Sequence, residues 1–230
     1  DVNKYAAEAL RIARLRAPTA TDAQHEVMAA ITLYTLASPF YRTLNAYLRA
    51  VNANPFSDYV RLVVTALQRH ARRVCGGVIV YRGMRFKEAE RGTYERLVAQ
   101  YTEARASGKV ITQRAFTSGS LDGQLMARPT FFGGAGKRVL VHIKTAGGFD
   151  VAHLSAIDQT SEKRESEVLL VPGTRMRITA VLRMADDLVE VHATQVVAAD
   201  DGGALDVFET VTGERHRSAA AAAPGAAASY

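Results

Sequence analysis

The chain has 230 residues, 48% hydrophobic and 23% charged, which excludes a wholly disordered polymer and leaves room for a sizeable core. Its longest uncharged stretch, 27–41, is shorter than the ~20 apolar residues of a membrane span and is interrupted by Pro39, so no span is expected. Lys and Arg number 29 against 23 Asp and Glu, a net +6, but the basic residues are dispersed, Trp is absent and aromatics are 7%, so a nucleic-acid platform is not favoured.

Residues 1–75 read as helical. Thr21 and Gln24 have capping-box spacing, and Val27, Ala30, Ile31 and Tyr34 then follow a helical stripe towards Pro39. Tyr41, Leu44 and Leu48 continue such a face. Ser57 or Asp58 is expected to cap a further helix whose stripe is Val60, Val63, Val64 and Leu67. From residue 78 the pattern changes to β-branched and aromatic runs. Strands are expected at 78–81, 110–116, 139–143 and 188–197, with a helix at 94–106. The runs 168–171 and 176–182 flank Pro172-Gly173 and predict a hairpin. Asp200-Asp201-Gly202-Gly203 marks a turn, and the Ala-rich stretch 218–230 is expected to be a disordered tail. Successive strands with little helix between them predict an α+β fold, mostly antiparallel.

Several chemistries are excluded. Cys75 is the only cysteine, so neither an internal disulfide nor a Cys-based zinc site can form. His142 and His192 fall inside expected strands and read as packing residues, so no metal is expected. Gly133 to Arg138 ends like a Walker loop, but Phe131 replaces its first glycine and Arg138 its Ser/Thr.

Three segments carry chemistry. In Val80-Tyr81-Arg82-Gly83 an arginine closes an apolar strand, where its guanidinium fork can meet phosphate and Gly83 lets a ligand approach the backbone. In Phe116-Thr117-Ser118-Gly119-Ser120 hydroxyls cluster at a strand end, able to hold a sugar or orient a carboxylate. In Glu165-Ser166-Glu167-Val168-Leu169-Leu170 two acids at i and i+2 open an apolar strand and share one face, where they can divide roles. Each alone is commonplace: a surface arginine, a Ser/Gly turn, a pair of solvated acids.

In this order, however, the Arg, Ser-x-Ser and Glu-x-Glu series resembles the R-S-E class of bacterial mono-ADP-ribosyltransferases, over about residues 22–184. Val171-Pro172-Gly173-Thr174 matches the turn that follows their glutamates. The helix bearing Tyr41, Leu44-Asn45 and Leu48-Arg49 resembles the one preceding the core in bacterial toxins of the class.

The resemblance implies a helical N-terminal layer packed on a two-sheet, mostly antiparallel β core. One domain would span 1–217, with helices over 1–75, the β core over 76–200 and an extension over 201–217. NAD+ would bind in the cleft as a consumed substrate, its ADP-ribose passing to a protein side chain. By the same resemblance Arg82 clamps the NAD phosphates and the Gly83 backbone holds the nicotinamide amide. Ser118 orients the catalytic glutamate, Ser120 supports it, Glu167 stabilises the ribosyl cation and Glu165 engages the acceptor. Phe131 or Phe132 lies against the nicotinamide. The sequence departs from the class in having Gly119 at the middle of Ser-Thr-Ser, and no aromatic ring across 158–164, where enzymes of the class grip their target. The whole chain is similar to Chromobacterium-type type III effectors that ADP-ribosylate a threonine of ubiquitin. That likeness implies bacterial secretion, delivery into the host cytosol, and host ubiquitin as partner, with no nucleic acid and no membrane. Arginine-specific transfer and NAD glycohydrolysis are the alternatives.

Overall fold

A computed structural model describes residues 2–36, 38–50, 55–127, 132, 136–156 and 166–197. Four helices come first: α1 (Val2–Arg16), α2 (Asp22–Thr35), α3 (Pro39–Arg49) and α4 (Ser57–His70). The capping box forms at α2, with Gln24 N–H donating to Thr21 Oγ1 at 3.3 Å and Thr21 N–H to Gln24 Oε1 at 2.8 Å. Pro39 does not end α2. It opens α3 behind the N-cap Ser38, where its fixed φ suits the first helical position. Neither Ser57 nor Asp58 caps α4. Phe56 occupies that place with no side-chain cap bond, and it instead packs edge-on against Phe40 and Tyr47. No helix among the described residues is long and apolar enough to cross a membrane.

The strands are β1 (Arg72–Val74), β2 (Ile79–Phe86), β3 (Val110–Gln113), β4 (Thr117–Ser120), β5 (Lys137–Lys144), β6 (Gly148–Asp150), β7 (Glu167–Leu170), β8 (Thr174–Ala185) and β9 (Leu188–Val196), with α5 (Arg91–Ser107) after β2. They form one sheet in the order β1-β6-β7-β4-β2-β5-β9-β8-β3, antiparallel at every step except β5–β9. The fold is α+β as expected, and the two expected sheets are two halves of this one. They join at β2–β4 through the single pair Tyr81↔Ser120. β7 lies between two cores. Leu169 belongs to the helical core with Ile31, Leu44 and Leu67, whereas Val168 and Leu170 pack with Val80, Val141, Ile143 and Met176 of the other half. A strand covered on both faces needs an unbroken apolar run, and Val168-Leu169-Leu170 supplies it.

Three expectations are corrected. The expected strand 110–116 is two: β3 pairs with β8 at one end of the sheet and β4 pairs with β7 in the other half. The residues between, including buried Ala115 and Phe116, carry the chain across. The Pro172-Gly173 turn forms, with Gly173 at φ 88°, but β7 and β8 do not pair. They enter different halves, so the turn is a crossing and not a hairpin. Arg82 does not close its strand either. β5 pairs with all eight residues of β2 and carries it on to Phe86.

Gly119 has a steric reason. A Cβ there would meet Val80 Cγ1 at 2.6 Å and the Tyr81 carbonyl oxygen at 2.7 Å. Restoring the threonine of the family pattern as Gly119→Thr is therefore expected to destabilise the protein by about 1–3 kcal/mol. Urea unfolding would measure it, and an unchanged midpoint would show that the strands move apart freely.

Candidate active site

Arg82 stands where the two halves part. The β4 ladder reaches only Tyr81, so the edge of β2 that faces β4 has no ladder partner at Arg82 or Gly83. Arg82 Nη1 donates to the Ser118 carbonyl at 2.7 Å. Among the described residues it has no carboxylate within ion-pair distance. Protein packed around the guanidinium holds its pKa below the ordinary arginine value. Arg49 adds to that depression, and Tyr34 and Tyr101 oppose it. Arg82 also lines a cavity of about 410 Å³, together with Arg49, Arg114, Tyr101, Gln113 and Thr117. Met84, Val141, Ile143 and Met176 form its apolar wall. That size suits a small-molecule ligand, and three arginines favour an anionic one.

Glu167, Ser118 and Ser120 do not line this cavity; they lie at the β4–β7 ladder. Ser120 stands directly opposite Glu167 and Ser118 opposite Leu169. Glu167 opens β7, 8% exposed, and its Oε2 accepts a hydrogen bond of 3.1 Å from Ser155 Oγ. Ser120 is buried and its Oγ accepts from the Asp122 amide at 3.0 Å.

Tyr34 of α2 links the two places. Burial pushes its pKa up to about 12; the Asn45 hydrogen bond and Arg82 lower it, and Glu167 raises it. The phenol therefore stays protonated at neutral pH within the fields of both charged groups. Asn45 Nδ2 donates to the Tyr34 phenolic oxygen at 3.0 Å, while Asn45 Oδ1 is buried without a hydrogen-bond partner. A sealed acceptor of this kind calls for a donor from a bound molecule or water. Asn45 and Arg49 lie one turn apart on α3, so this helix, read first only as a likeness to bacterial toxins, lends polar groups to the site.

Gly83 pairs with Leu140 of β5 on one side and has no ladder partner on the side of β4. Phe132 is buried, with the Arg138 guanidinium 5.7 Å from its ring centroid. Phe131, Glu165, the ring-free stretch 158–164, the turn 200–203, the extension 201–217 and the tail 218–230 lie outside the described residues. Sequence reasoning missed Ser155. No motif marks it, and it reaches Glu167 because the segment before it is tied to α2: Thr32 Oγ1 donates to the Leu154 carbonyl at 2.8 Å, and the Ala156 amide donates to Thr35 Oγ1 at 2.9 Å.

The family profile of ADP-ribosyltransferase exoenzymes matches residues 3–201. The chain belongs to that family. It is an NAD+-dependent mono-ADP-ribosyltransferase of the bacterial toxin and effector kind. No curated protein sequence matches the chain. Among solved structures, the fold is similar to the ADP-ribosyltransferase HopU1 of Pseudomonas syringae pv. Tomato DC3000 (TM-score 0.60, 20% identity, covering 80% of this chain and 82% of that one). It is also similar to Vis, an ADP-ribosyltransferase toxin from Vibrio splendidus (TM-score 0.54, 23% identity, 88% of each chain). A third is the type III effector XopAI from Xanthomonas axonopodis pv. citri (TM-score 0.57, 16% identity, 85% and 78%). At these identities the neighbours establish the fold of the ADP-ribosyltransferase exoenzyme and leave its target open.

Proposed function

We propose that this ADP-ribosyltransferase moves ADP-ribose from NAD+ to a threonine hydroxyl of host ubiquitin, after secretion by a bacterium into the host cytosol. The observation that carries the NAD assignment is the protein-enclosed guanidinium of Arg82, without a carboxylate partner among the described residues, in an arginine-lined cavity near the buried acid Glu167. Arg82 and Arg49 hold the pyrophosphate, and the open edge at Gly83 receives the nicotinamide amide. Glu167 stabilises the oxocarbenium-like ribose as the ribose–nicotinamide bond breaks and neutral nicotinamide leaves. Ser155 holds that acid through its hydroxyl, Ser120 supports it from the facing ladder position, and Ser118 fixes Arg82 through its carbonyl. Glu165 accepts the proton of the acceptor hydroxyl as the new C–O bond forms. In this role Ser155 is a positioning residue. Ser155→Ala is expected to lower kcat about 10–100-fold, the cost of one hydrogen bond to a charged group. KM for NAD+ should hold, and an equal change in KM would place Ser155 in binding.

The threonine assignment rests on the sequence. Residues 158–164 carry no ring, and an aromatic face serves a planar guanidinium acceptor, not a small neutral hydroxyl. Lys163 and Arg164 would repel an arginine target. Incubation with ubiquitin and NAD+, followed by neutral hydroxylamine and fragmentation, tests it. An O-linked threonine adduct resists hydroxylamine. Release of the label from an arginine would overturn the acceptor and leave the NAD chemistry standing. Glu165→Ala is expected to lose transfer far more than NAD+ hydrolysis. Equal losses would move Glu165 onto NAD+, and hydrolysis indifferent to every protein target would make the enzyme a glycohydrolase.

A further inference from the structure

β5 and β9 are the one parallel pair among the described strands, and in their ladder His142 stands directly across from His192. Val141 and Ile143 on one strand and Val191 and Ala193 on the other point into the core, so alternation turns both histidines to the outer face. Glu190, two residues before His192, shares that face. His192 Nε2 lies 2.7 Å from Glu190 Oε1, and His142 Nε2 lies 3.5 Å from the same oxygen. The two imidazole centroids are 4.7 Å apart. The 3.5 Å approach lacks hydrogen-bond geometry: His142 Nε2 is sealed from solvent and has no hydrogen-bond partner.

We propose that His142, Glu190 and His192 form a binding site for one Zn2+ ion, apart from the NAD cavity. All three donor atoms lie within 4.8 Å of one another. Zinc holds imidazole nitrogen and carboxylate oxygen at about 2.0–2.2 Å, which in a tetrahedron sets neighbouring donors roughly 3.3 Å apart. The 2.7 and 3.5 Å separations to Glu190 straddle that value, and the two histidine donors lie within 4.8 Å of each other, so the three side chains can turn inward on one ion. Two imidazoles with one carboxylate suit zinc, whereas magnesium and calcium select oxygen donors. The carboxylate offsets half of the ion's charge. His192 is the most exposed of the three side chains, which leaves the fourth coordination position on the solvent side. The ion ties β5 to β9. It also adjoins β2, because the Tyr81 ring packs edge-on to His142 at 5.0 Å and Arg82 follows Tyr81.

The test uses the tag-free full chain, titrated with Zn2+ by calorimetry and with Co2+ by visible absorption. One equivalent should bind, Co2+ should give a tetrahedral spectrum, and saturating Zn2+ should raise the Tm. His142→Ala and His192→Ala should each weaken binding about 100-fold or more. Glu190→Gln keeps the side-chain shape and should also weaken binding with the circular dichroism unchanged, which decides the matter if a histidine variant does not fold. His70→Ala should bind as the parent does. Absence of stoichiometric binding, or binding untouched by Glu190→Gln, would overturn the site.

Discussion

Glu167→Ala should lower both NAD+ cleavage and ADP-ribosyl transfer by about 10²–10³-fold while the protein stays folded. Both reactions pass through the same ribosyl cation, so a group that stabilises it must affect both alike. Glu167 is 8% exposed, so little water competes with its carboxylate, and Ser155 holds one of its oxygens. Glu167→Gln keeps the shape and the hydrogen-bonding edge but removes the charge. It should be nearly as inactive, which separates electrostatics from packing. Near-normal NAD+ cleavage by either variant would remove Glu167 from the chemistry.

Arg82→Met should weaken NAD+ binding by about 100-fold, the loss of charge-assisted hydrogen bonds worth about 1.5–3 kcal/mol. A phosphate clamp acts in ground and transition states alike, so KM rises while kcat on saturating NAD+ changes less. Arg82→Lys should recover little, because an ammonium cannot reproduce the fork. The same substitution has an opposite consequence for the free protein. Among the described residues the desolvated Arg82 guanidinium makes one carbonyl hydrogen bond and no ion pair, an arrangement that costs stability until an anion arrives. Arg82→Met is therefore expected to raise the Tm of the NAD-free protein. Calorimetry of NAD+ binding and thermal unfolding read the two effects separately; unchanged affinity would refute the clamp.

Local order was legible in the sequence wherever neighbours in the chain decide it. The Thr21–Gln24 box, the α2 and α4 stripes, the extended β-branched runs and the α+β class all rest on hydrogen bonds or burial faces within a few residues. So did the family: Arg82, Ser118, Ser120 and Glu167 are marked by short motifs in a fixed order. Partners distant in the chain were not legible. The Val168 and Met176 runs looked like a hairpin because a Pro-Gly turn joins them, yet hydrogen bonding to β4 and β9 draws them into different halves. The strands β1 and β6, three residues each, carry too short a pattern to see; β6 forms because β7 pairs with it, and β1 then adds to it as the edge of the sheet. Arg82 looked like a strand end because the apolar run stops there, but β5 sustains the strand beyond it.

The sequence by itself determined the helical stripes, most of the extended runs and the family, because propensity, capping and motif order are properties of adjacent residues. Only the tertiary structure decided what those groups face. It put Ser155, twelve residues before Glu167, onto its carboxylate by tying Leu154 and Ala156 to α2. It emptied the Gly119 position to let Val80 and Tyr81 approach, and it ended the β2–β4 ladder at Tyr81, just before Arg82 and Gly83. Those outcomes depend on how two sheet halves and a helical layer compete to bury the same strand, β7, and no local pattern encodes that competition.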